Sequence, residues 1–250
     1  VAQFSADTVG CHPFPVSFTN TTLRADSLFF WDFGDGSVST SKHPQHEYKN
    51  FSLTNDTTFV VKMIAMSHDG CTDTVIHTVR VKPSPIAGFT MSNHSACDSL
   101  LVHFTNTSQG ATAWSWSFNN GAISSDENPS SQWYTLPQQY HPELIISNAY
   151  NCYDTVADVV AIHASPLIHF TVQNACVGQG VQFVNNSTVV NDSITSYLWT
   201  LAPNVTSISK HAQYTYSTAG ARYIHLQAST AYCTSVDSVL LNIDPLPVPS

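Results

Sequence analysis

The chain has 250 residues, of which 42% are hydrophobic and only 10% are charged. The apolar fraction suffices for packed cores and excludes a globally disordered chain. With 8 Lys and Arg against 17 Asp and Glu, the formal net charge is −9. This balance excludes nucleic acid and anionic membrane surfaces as partners, because both attract cationic side chains. No apolar run approaches the roughly 18 residues of a membrane span, so we expect no membrane insertion.

The first residues show neither an initiator Met nor the basic and apolar pattern of a signal peptide. We therefore expect a mature chain or, as the favoured reading, a segment of a larger protein. The six cysteines stand in a Lys-poor chain that is rich in hydroxyl side chains. An even number of regularly spaced cysteines in such a chain predicts an oxidised, extracellular protein of the cell surface.

Three copies of one sequence pattern follow each other along the chain. Each copy has a first cysteine, a central tryptophan and a second cysteine, in that order and with nearly constant spacing. The three sets are Cys11, Trp31 and Cys71; Cys97, Trp116 and Cys152; and Cys176, Trp199 and Cys233. Proline-containing linkers follow each copy, and short linkers of this kind are semi-rigid. The pattern predicts three modules, residues 1–83, 84–165 and 166–250, arranged end to end as a rod.

Apolar and polar residues largely alternate within each copy, which is the period of half-buried β-strands. Residues 74–81 and 223–228 are examples, and Gly-, Asp- and Asn-containing turns separate such segments. No window has the periodicity of a helix. The sequence therefore predicts an all-β fold of immunoglobulin-like sandwiches. In the first module we expect Trp31 at the centre of the core, surrounded by four apolar side chains, namely Phe18, Phe33, Val61 and Ile64.

The first copy contains the run Trp-Asp-Phe-Gly-Asp-Gly at residues 31–36 and the step His46-Glu47-Tyr48. These motifs resemble those of the polycystic-kidney-disease (PKD) domain. The third copy, around Trp199 and Tyr216, resembles the family through spacing alone. The second copy keeps three landmarks but replaces the acidic residues, having Trp116, Phe118 and Gly121 with Asn119 and Asn120 between them. The resemblance implies three tandem PKD-type β-sandwiches without catalytic activity.

Asp32 and Asp35 are the most conspicuous pair of polar residues. They fit a cation site or an acid/base pair, but they also fit a tight turn in which carboxylates accept backbone N–H groups and Gly36 takes a positive φ. The turn is favoured because the other two copies lack the acids. The twelve histidines are scattered, and no Cys or His stands at the spacing of zinc ligands. We accordingly expect no metal, no cofactor and no catalytic residue.

A second recurring pattern is Asp followed by Ser or Thr and then an aliphatic residue or Thr. It resembles the O-glycosylation sequon of Bacteroidota, which implies glycans on the hydroxyl residues. Descent of the three copies from one ancestor explains part of the pattern equally well, since Asp73 and Asp154 are equivalent positions. The candidate glycosylation sites are Thr8, Ser27, Thr57, Thr74, Ser99, Thr155, Ser193 and Ser238.

Tandem PKD-like modules of this kind resemble parts of large Bacteroidota surface proteins, which accompany type IX secretion, gliding motility or adhesion. The resemblance implies a structural spacer that holds the binding tip of an adhesin away from the cell. Modules of 30 to 35 Å would give a rod of roughly 100 Å. The alternative is a set of polysaccharide- or protein-binding accessory modules of a secreted hydrolase. Expected partners are neighbouring modules of the same chain and surface glycans or other cell-surface proteins.

The cysteines allow two pairing schemes. One disulfide per module would join Cys11 to Cys71, Cys97 to Cys152 and Cys176 to Cys233. In the implied immunoglobulin-like topology, however, Cys11 lies in a turn at the end of the module from which the chain leaves, and Cys71 follows a turn at the opposite end. The two would be some 25 to 30 Å apart, whereas a disulfide needs Cα atoms within about 7 Å. We therefore favour inter-module bonds, Cys11–Cys152 and Cys97–Cys233. Cys71 and Cys176 would then pair with modules beyond this chain or stay free.

Overall fold

The computed structural model describes residues 1–23, 28–173 and 175–246. Every secondary-structure element within these ranges is a β-strand, so the predicted all-β fold is confirmed. No helix in this part of the chain could span a membrane.

The strands of the first half are β1 (Phe4–Ser5), β2 (Val9–Cys11), β3 (Phe14–Ser17), β4 (Thr19–Asn20), β5 (Leu28–Asp32), β6 (Val38–Ser39), β7 (Gln45–Tyr48), β8 (Thr57–Met66), β9 (Thr72–Lys82), β10 (Phe89–Met91), β11 (Ser95–Cys97), β12 (Leu100–Val102), β13 (Phe104–Asn106) and β14 (Ala113–Ser117). Those of the second half are β15 (Ile123–Ser124), β16 (Gln132–Tyr134), β17 (Gln139–Tyr140), β18 (Glu143–Ser147), β19 (Tyr153–Ala157), β20 (Val160–His163), β21 (Phe170–Gln173), β22 (Gly180–Asn185), β23 (Ser196–Ala202), β24 (Val205–Ser207), β25 (Ala212–Thr215), β26 (Gly220–Ser229) and β27 (Thr234–Ile243).

The strands form two compact units. Unit 1 comprises residues 1–91, 104–130 and 142–158, and unit 2 comprises residues 92–103, 131–141 and 159–250. The strands of the predicted second module are divided between the two units. The module boundaries after residues 83 and 165 therefore stay predictions.

Unit 1 contains a sandwich built from residues 1–82. Its larger sheet has the strand order β2-β9-β8-β5-β6, in which β2 runs parallel to β9 and the other pairs are antiparallel. The pairs β1-β4 and β3-β7 complete the sandwich. Trp31 has no exposed surface, and its ring lies 5.0 Å from that of Phe4 and 5.5 Å from that of Phe18. The tryptophan is thus the centre of the core, as predicted.

One predicted core residue of this sandwich is wrong. Ile64 is not among the buried residues, because it pairs with Phe30 on the outer face of the sheet. Val61 and Met63 point inward instead, and Met63 stands opposite Trp31. Alternation along a strand cannot place both Val61 and Ile64 on one face.

Unit 1 also contains the sheet β15-β14-β18-β19 and the pair β10-β13. Trp116 of β14 is buried, and the rings of Phe89 and Phe104 meet it edge to face at 5.4 and 5.9 Å.

Unit 2 contains a sandwich formed by the sheets β24-β23-β26-β27 and β21-β22-β25. Trp199 is fully buried in its core beside Phe183, with ring centroids 5.7 Å apart, together with Leu201 and Leu226. The sheet β11-β20-β17 and the pair β12-β16 also belong to unit 2.

The same strand arrangement therefore occurs three times, as β6-β5-β8-β9, β15-β14-β18-β19 and β24-β23-β26-β27. In each copy the indole N–H of the central tryptophan donates to a backbone carbonyl ten residues later. These bonds are Trp31 to Ser41 at 2.8 Å, Trp116 to Asp126 at 2.9 Å and Trp199 to Ser209 at 3.0 Å. Residues at equivalent places in the three copies can accordingly be compared one by one.

Candidate functional site

Two disulfide bonds join segments that are far apart in sequence. Cys11 bonds to Cys152 within unit 1, with their Cα atoms 5.6 Å apart. Cys97 bonds to Cys233 within unit 2, with their Cα atoms 5.9 Å apart. These are the two inter-module pairs favoured by the sequence, and they exclude the scheme of one bond per module.

Short parallel strands position the first cysteine of each pair. Cys11 ends β2, where it lies opposite Lys82 at the end of β9. Cys97 ends β11, where it lies opposite His163 at the end of β20. The prediction placed Cys11 in a turn, and the structure places it in a strand instead. Its position at the end of the module from which the chain leaves is nevertheless as expected.

Hydrogen bonds surround the first disulfide, at a place that we call junction 1 (Cys11, Lys82, Pro83, Asn148, Tyr150 and Cys152). The buried Asn148 donates from Nδ2 to the Pro83 carbonyl at 2.8 Å. Its Oδ1 accepts the backbone N–H groups of Tyr150 and Cys152 at 3.0 and 3.1 Å. The Tyr150 hydroxyl donates to the Thr54 carbonyl at 3.0 Å. One amide thus holds the turn that carries Cys152 and fixes it to the linker.

An aromatic pair stacks beside the second disulfide, at a place that we call junction 2 (Cys97, Asp98, His163, Ser165, Tyr232 and Cys233). The Tyr232 ring stacks on the His163 ring with a centroid distance of 3.7 Å. Asp98 accepts the backbone N–H of Ser165 in the linker at 2.8 Å. The ring of Tyr232 thus belongs to junction 2 through its contact with His163.

Cys71 and Cys176 carry free thiols. Cys71 is exposed and Cys176 is half-buried. The sequence predicted that these two cysteines would pair with modules beyond this chain or stay free, and within this chain they are free, one in the first copy and one in the third.

The turn between β5 and β6 carries the two aspartates. Asp32 accepts the N–H of Gly34 at 3.0 Å, and Asp35 accepts the N–H of Ser37 at 2.9 Å. Gly36 has a φ of 92°. The turn interpretation of the two carboxylates is thus confirmed.

Sequence reasoning missed the partner of Asp35. The Oδ2 atom of Asp35 lies 2.6 Å from Nε2 of His46, and 23% of the Asp35 side chain and 16% of the His46 side chain are exposed. The His46 ring stacks on Phe33 at 4.3 Å and meets Tyr48 edge to face at 4.7 Å. The motif His46-Glu47-Tyr48 was the available signal, since alternation puts the first and third residues on one face.

Burial raises the pKa of Asp35, but its bonds to Ser37 and His46 and the charge of His46 outweigh that effect and hold the pKa below its usual value. Burial raises the pKa of Tyr216 to about 12 and that of Tyr48 further still. Each of these hydroxyls donates to a core carbonyl, Tyr48 to Phe33 at 3.2 Å and Tyr216 to Leu201 at 2.8 Å. These groups stabilise turns and cores.

Histidines elsewhere also have structural partners. His43 and His211 accept the backbone N–H groups of Asn20 and Asn185 at Nδ1, at 3.2 and 3.1 Å. In residues 1–23, 28–173 and 175–246 there is no group of three or more His, Cys, Asp or Glu that could hold a metal ion.

Seven of the eight candidate glycosylation residues lie in the described part of the chain, and Ser27 lies outside it. The aspartates of two candidates have structural partners, since Asp73 accepts the N–H of Ala2 and Asp154 that of Ala87, both at 2.7 Å. Glycosylation therefore stays a prediction, with hydroxyls that a modifying enzyme could reach. Thr57 is half-buried, and the exposed residues are Thr8, Thr74, Ser99, Thr155, Ser193 and Ser238.

No protein-family model and no curated protein matches the chain. Solved structures similar to it include the PKD1 domain of Vibrio anguillarum Epp, with 18% identity over 34% of this chain and 99% of that chain and a TM-score of 0.31. The three N-terminal domains of the bacteriophage RB49 Highly Immunogenic Outer Capsid protein match at 9% identity over 100% of both chains, with a TM-score of 0.40. The amphioxus IgVJ-C2 molecule matches at 15% identity over 60% of this chain and 98% of that chain, with a TM-score of 0.33. PKD-type and immunoglobulin-like domains are thus among the structures that this chain resembles.

Proposed function

We propose that the chain is a non-catalytic structural segment of a large secreted cell-surface adhesin, where it spaces a binding tip from the cell. The observation that carries the proposal is the pair of disulfides. Each one joins the first cysteine of one sequence copy to the second cysteine of the next copy. A covalent link between consecutive copies is of use to a segment that bears load.

The compartment follows from the same bonds, because disulfides form and persist in oxidising surroundings outside the cytoplasm. The carboxylates that could have formed an acid/base pair also support the proposal, because they have structural partners. Asp32, Asp35 and His46 hold one turn through short hydrogen bonds. Such groups stabilise a fold and need no substrate to complete them.

The two disulfides also overlap in sequence, which limits how far the chain can be drawn out. The shortest covalent path runs from residue 1 to Cys11, across to Cys152, back along the chain to Cys97, across to Cys233 and on to residue 250. This path contains about one third of the residues, so a fully stretched oxidised chain would reach roughly 300 Å against roughly 900 Å after reduction.

Single-molecule stretching between the two termini tests the proposal. We expect the extension at rupture or full unfolding to rise about threefold when reductant is added. The double variants C97S/C233S and C11S/C152S, each with one disulfide left, should reach a little under half of the reduced length. An oxidised chain that stretches as far as the reduced one would contradict the mechanical role. Micromolar binding of polysaccharide by the purified chain would instead favour the accessory module of a hydrolase.

A further inference from the structure

We propose that Cys71 and Cys176 are the two open halves of a third junction, and that the partner of each is a further copy of this chain joined head to tail. Cys176 of one copy would bond to Cys71 of the copy that follows it. The inference rests on the proposed function, since it extends the same series of copies joined by disulfides. Five observations support it.

Cys176 occupies the place that Cys11 and Cys97 occupy in the closed junctions. It forms a parallel bridge with Asp244, as Cys11 pairs with Lys82 and Cys97 with His163. The residue after each cysteine then donates its backbone N–H to the carbonyl of that same partner. These bonds are His12 to Lys82 at 3.0 Å, Asp98 to His163 at 2.8 Å and Val177 to Asp244 at 3.0 Å.

Cys71 occupies the place of Cys152 and Cys233. All three follow a turn whose first residue donates its N–H to the carbonyl of the cysteine and whose side-chain oxygen accepts the N–H of the cysteine. The N–H bonds run from Ser67 to Cys71 at 2.9 Å, from Asn148 to Cys152 at 3.1 Å and from Thr230 to Cys233 at 2.8 Å. The returning bonds measure 3.2 Å to Ser67, 3.1 Å to Asn148 and 2.9 Å to Thr230.

The closed junctions have a fixed polarity. In both, the strand-end cysteine comes from the earlier copy and the turn cysteine comes from the later one. In the third copy Cys176 takes the place of the strand-end cysteine through its bridge to Asp244, and Cys71 is the turn cysteine of the first copy. The two are therefore complementary, and bonds between two Cys71 or two Cys176 residues do not fit the pattern.

The linkers give the fourth observation. Phe89 is the seventh residue after Lys82, and Phe170 is the seventh after His163. If residue 247 is joined to residue 1 of a second chain, Phe4 is likewise the seventh residue after Asp244. Prolines then stand one and three residues after Asp244, as Pro83 and Pro85 stand after Lys82.

The fifth observation is that the first residues of the chain match the first linker. Ala2 would stand where Ala87 stands in the first linker. Both donate their backbone N–H at 2.7 Å, Ala2 to Asp73 and Ala87 to Asp154. Each of these aspartates lies two residues after the turn cysteine of its copy.

Formation of the bond needs a two-electron oxidant, for which a small-molecule disulfide such as oxidised glutathione suffices. One thiolate attacks it to give a mixed disulfide and releases one reduced glutathione. The second cysteine thiolate then attacks the mixed disulfide and releases the second. The two protons of the cysteine thiols end on the two glutathione thiols, so the exchange balances.

A tandem protein tests the inference. Residues 1–247 are followed directly by residues 1–250 in one polypeptide, which is refolded in a glutathione redox buffer, denatured and titrated with a maleimide. The single chain should show two reactive thiols. We expect two in the tandem as well, at the outer Cys71 and the outer Cys176, with an inner Cys176–Cys71 peptide pair in non-reducing digests. Four reactive thiols, or pairs between like cysteines, would overturn the inference.

The matched control carries C71S in the second copy alone. It leaves the inner Cys176 without a complementary partner, and we expect three reactive thiols. A count of one would reveal a disulfide among these three thiols, none of which can join a Cys176 to the Cys71 of the following copy, and would overturn the fixed polarity. Four thiols in the parent tandem, with Cys11–Cys152 and Cys97–Cys233 still intact in both copies, would overturn this inference and leave the proposed function standing. Loss of the internal pairs would count against both.

Discussion

Asp35 and His46 form a hydrogen-bonded pair in the first sandwich, whereas Asn120 and Gln132 take the equivalent places in the second copy. Replacing Asp35 by Asn keeps an acceptor for the Ser37 N–H and removes the charge beside His46. We expect D35N to lower the free energy of unfolding at pH 7 by about 1 kcal/mol, as the loss of a charge-assisted hydrogen bond does. Urea unfolding followed by tryptophan fluorescence measures the change.

The pH dependence of this effect has a definite sign. The pKa of Asp35 is lower in the folded chain than its ordinary value of 3.8. The stabilisation is therefore complete above that value and is lost as the pH falls through the folded-state pKa. The difference between the parent protein and D35N should shrink below about pH 4. H46Q is the control, because adding it to D35N should cost little more than either change alone. A difference that persists at pH 2.5 would contradict the role of the charge.

At the scale of single residues, the sequence predicts what depends on alternation and on turn chemistry. The three buried tryptophans and the carboxylates of Asp32 and Asp35 lie where the patterns put them. Alternation from Val61 puts Met63, and not Ile64, on the inner face of β8, so the sequence allowed the correct choice here. The bond between His46 and Asp35 joins β7 to the turn between β5 and β6, so it can be recognised only when β7 is placed.

The hairpin of β5 and β6 passes so close to β8 that one glycine is irreplaceable. Gly34 has a φ of 81°, and a Cβ atom there would lie 2.5 Å from the carbonyl oxygen of Val60 and 2.8 Å from its nitrogen. We expect G34A to lower the free energy of unfolding by more than about 3 kcal/mol, through backbone strain and the clash together. Gly36 is the matched control, since its φ is 92° but nothing lies within 4 Å. G36A should cost about 1 kcal/mol, and equal losses in urea unfolding would contradict the close approach.

The turn that carries Cys152 depends on one buried amide. N148A removes the donor to the Pro83 carbonyl and the acceptor for two backbone N–H groups. We expect it to lower the free energy of unfolding by about 2 to 4 kcal/mol, because the groups left without partners are buried. N148T restores an acceptor, as Thr230 supplies one to Cys233, but not the donor. Its loss in urea unfolding should be near 1 kcal/mol. A loss equal to that of N148A would show that the acceptor in the turn contributes nothing and that only the bond to the Pro83 carbonyl matters.

At the scale of elements, the disulfide pairs could be predicted because topology fixes which ends of the strands meet. The prediction needed only that Cys11 and Cys71 lie at opposite ends of one sandwich. The hydrogen bonds around the two disulfides could not be predicted in the same way. Asn148 and Thr230 play the same part in their turns with different side chains, so neither residue type marks the role in the sequence.

At the scale of the molecule, the sequence predicts three copies, and the structure repeats one sheet order three times. The two compact units do not coincide with the three copies, because some strands of the middle copy belong to unit 1 and others to unit 2. Spacing of landmarks reveals common ancestry, whereas compactness depends on packing between strands that lie far apart in sequence. The boundaries of the copies and the boundaries of the units are therefore different properties of the chain.

The segments enclosed by the two disulfides overlap in sequence, and limited proteolysis tests this overlap. Any single cut between Cys11 and Cys233 leaves both pieces joined by at least one disulfide. Lys210 is exposed between β24 and β25 and offers trypsin such a cut. After brief trypsin treatment we expect the chain cut after Lys210 to keep its full mass on a non-reducing gel and to release fragment 211–250 only on reduction. C97S/C233S should release that fragment without reductant, because only Cys233 ties it to the rest, whereas C11S/C152S should still retain it. Release from the parent protein without reductant would contradict the pairing of Cys97 with Cys233.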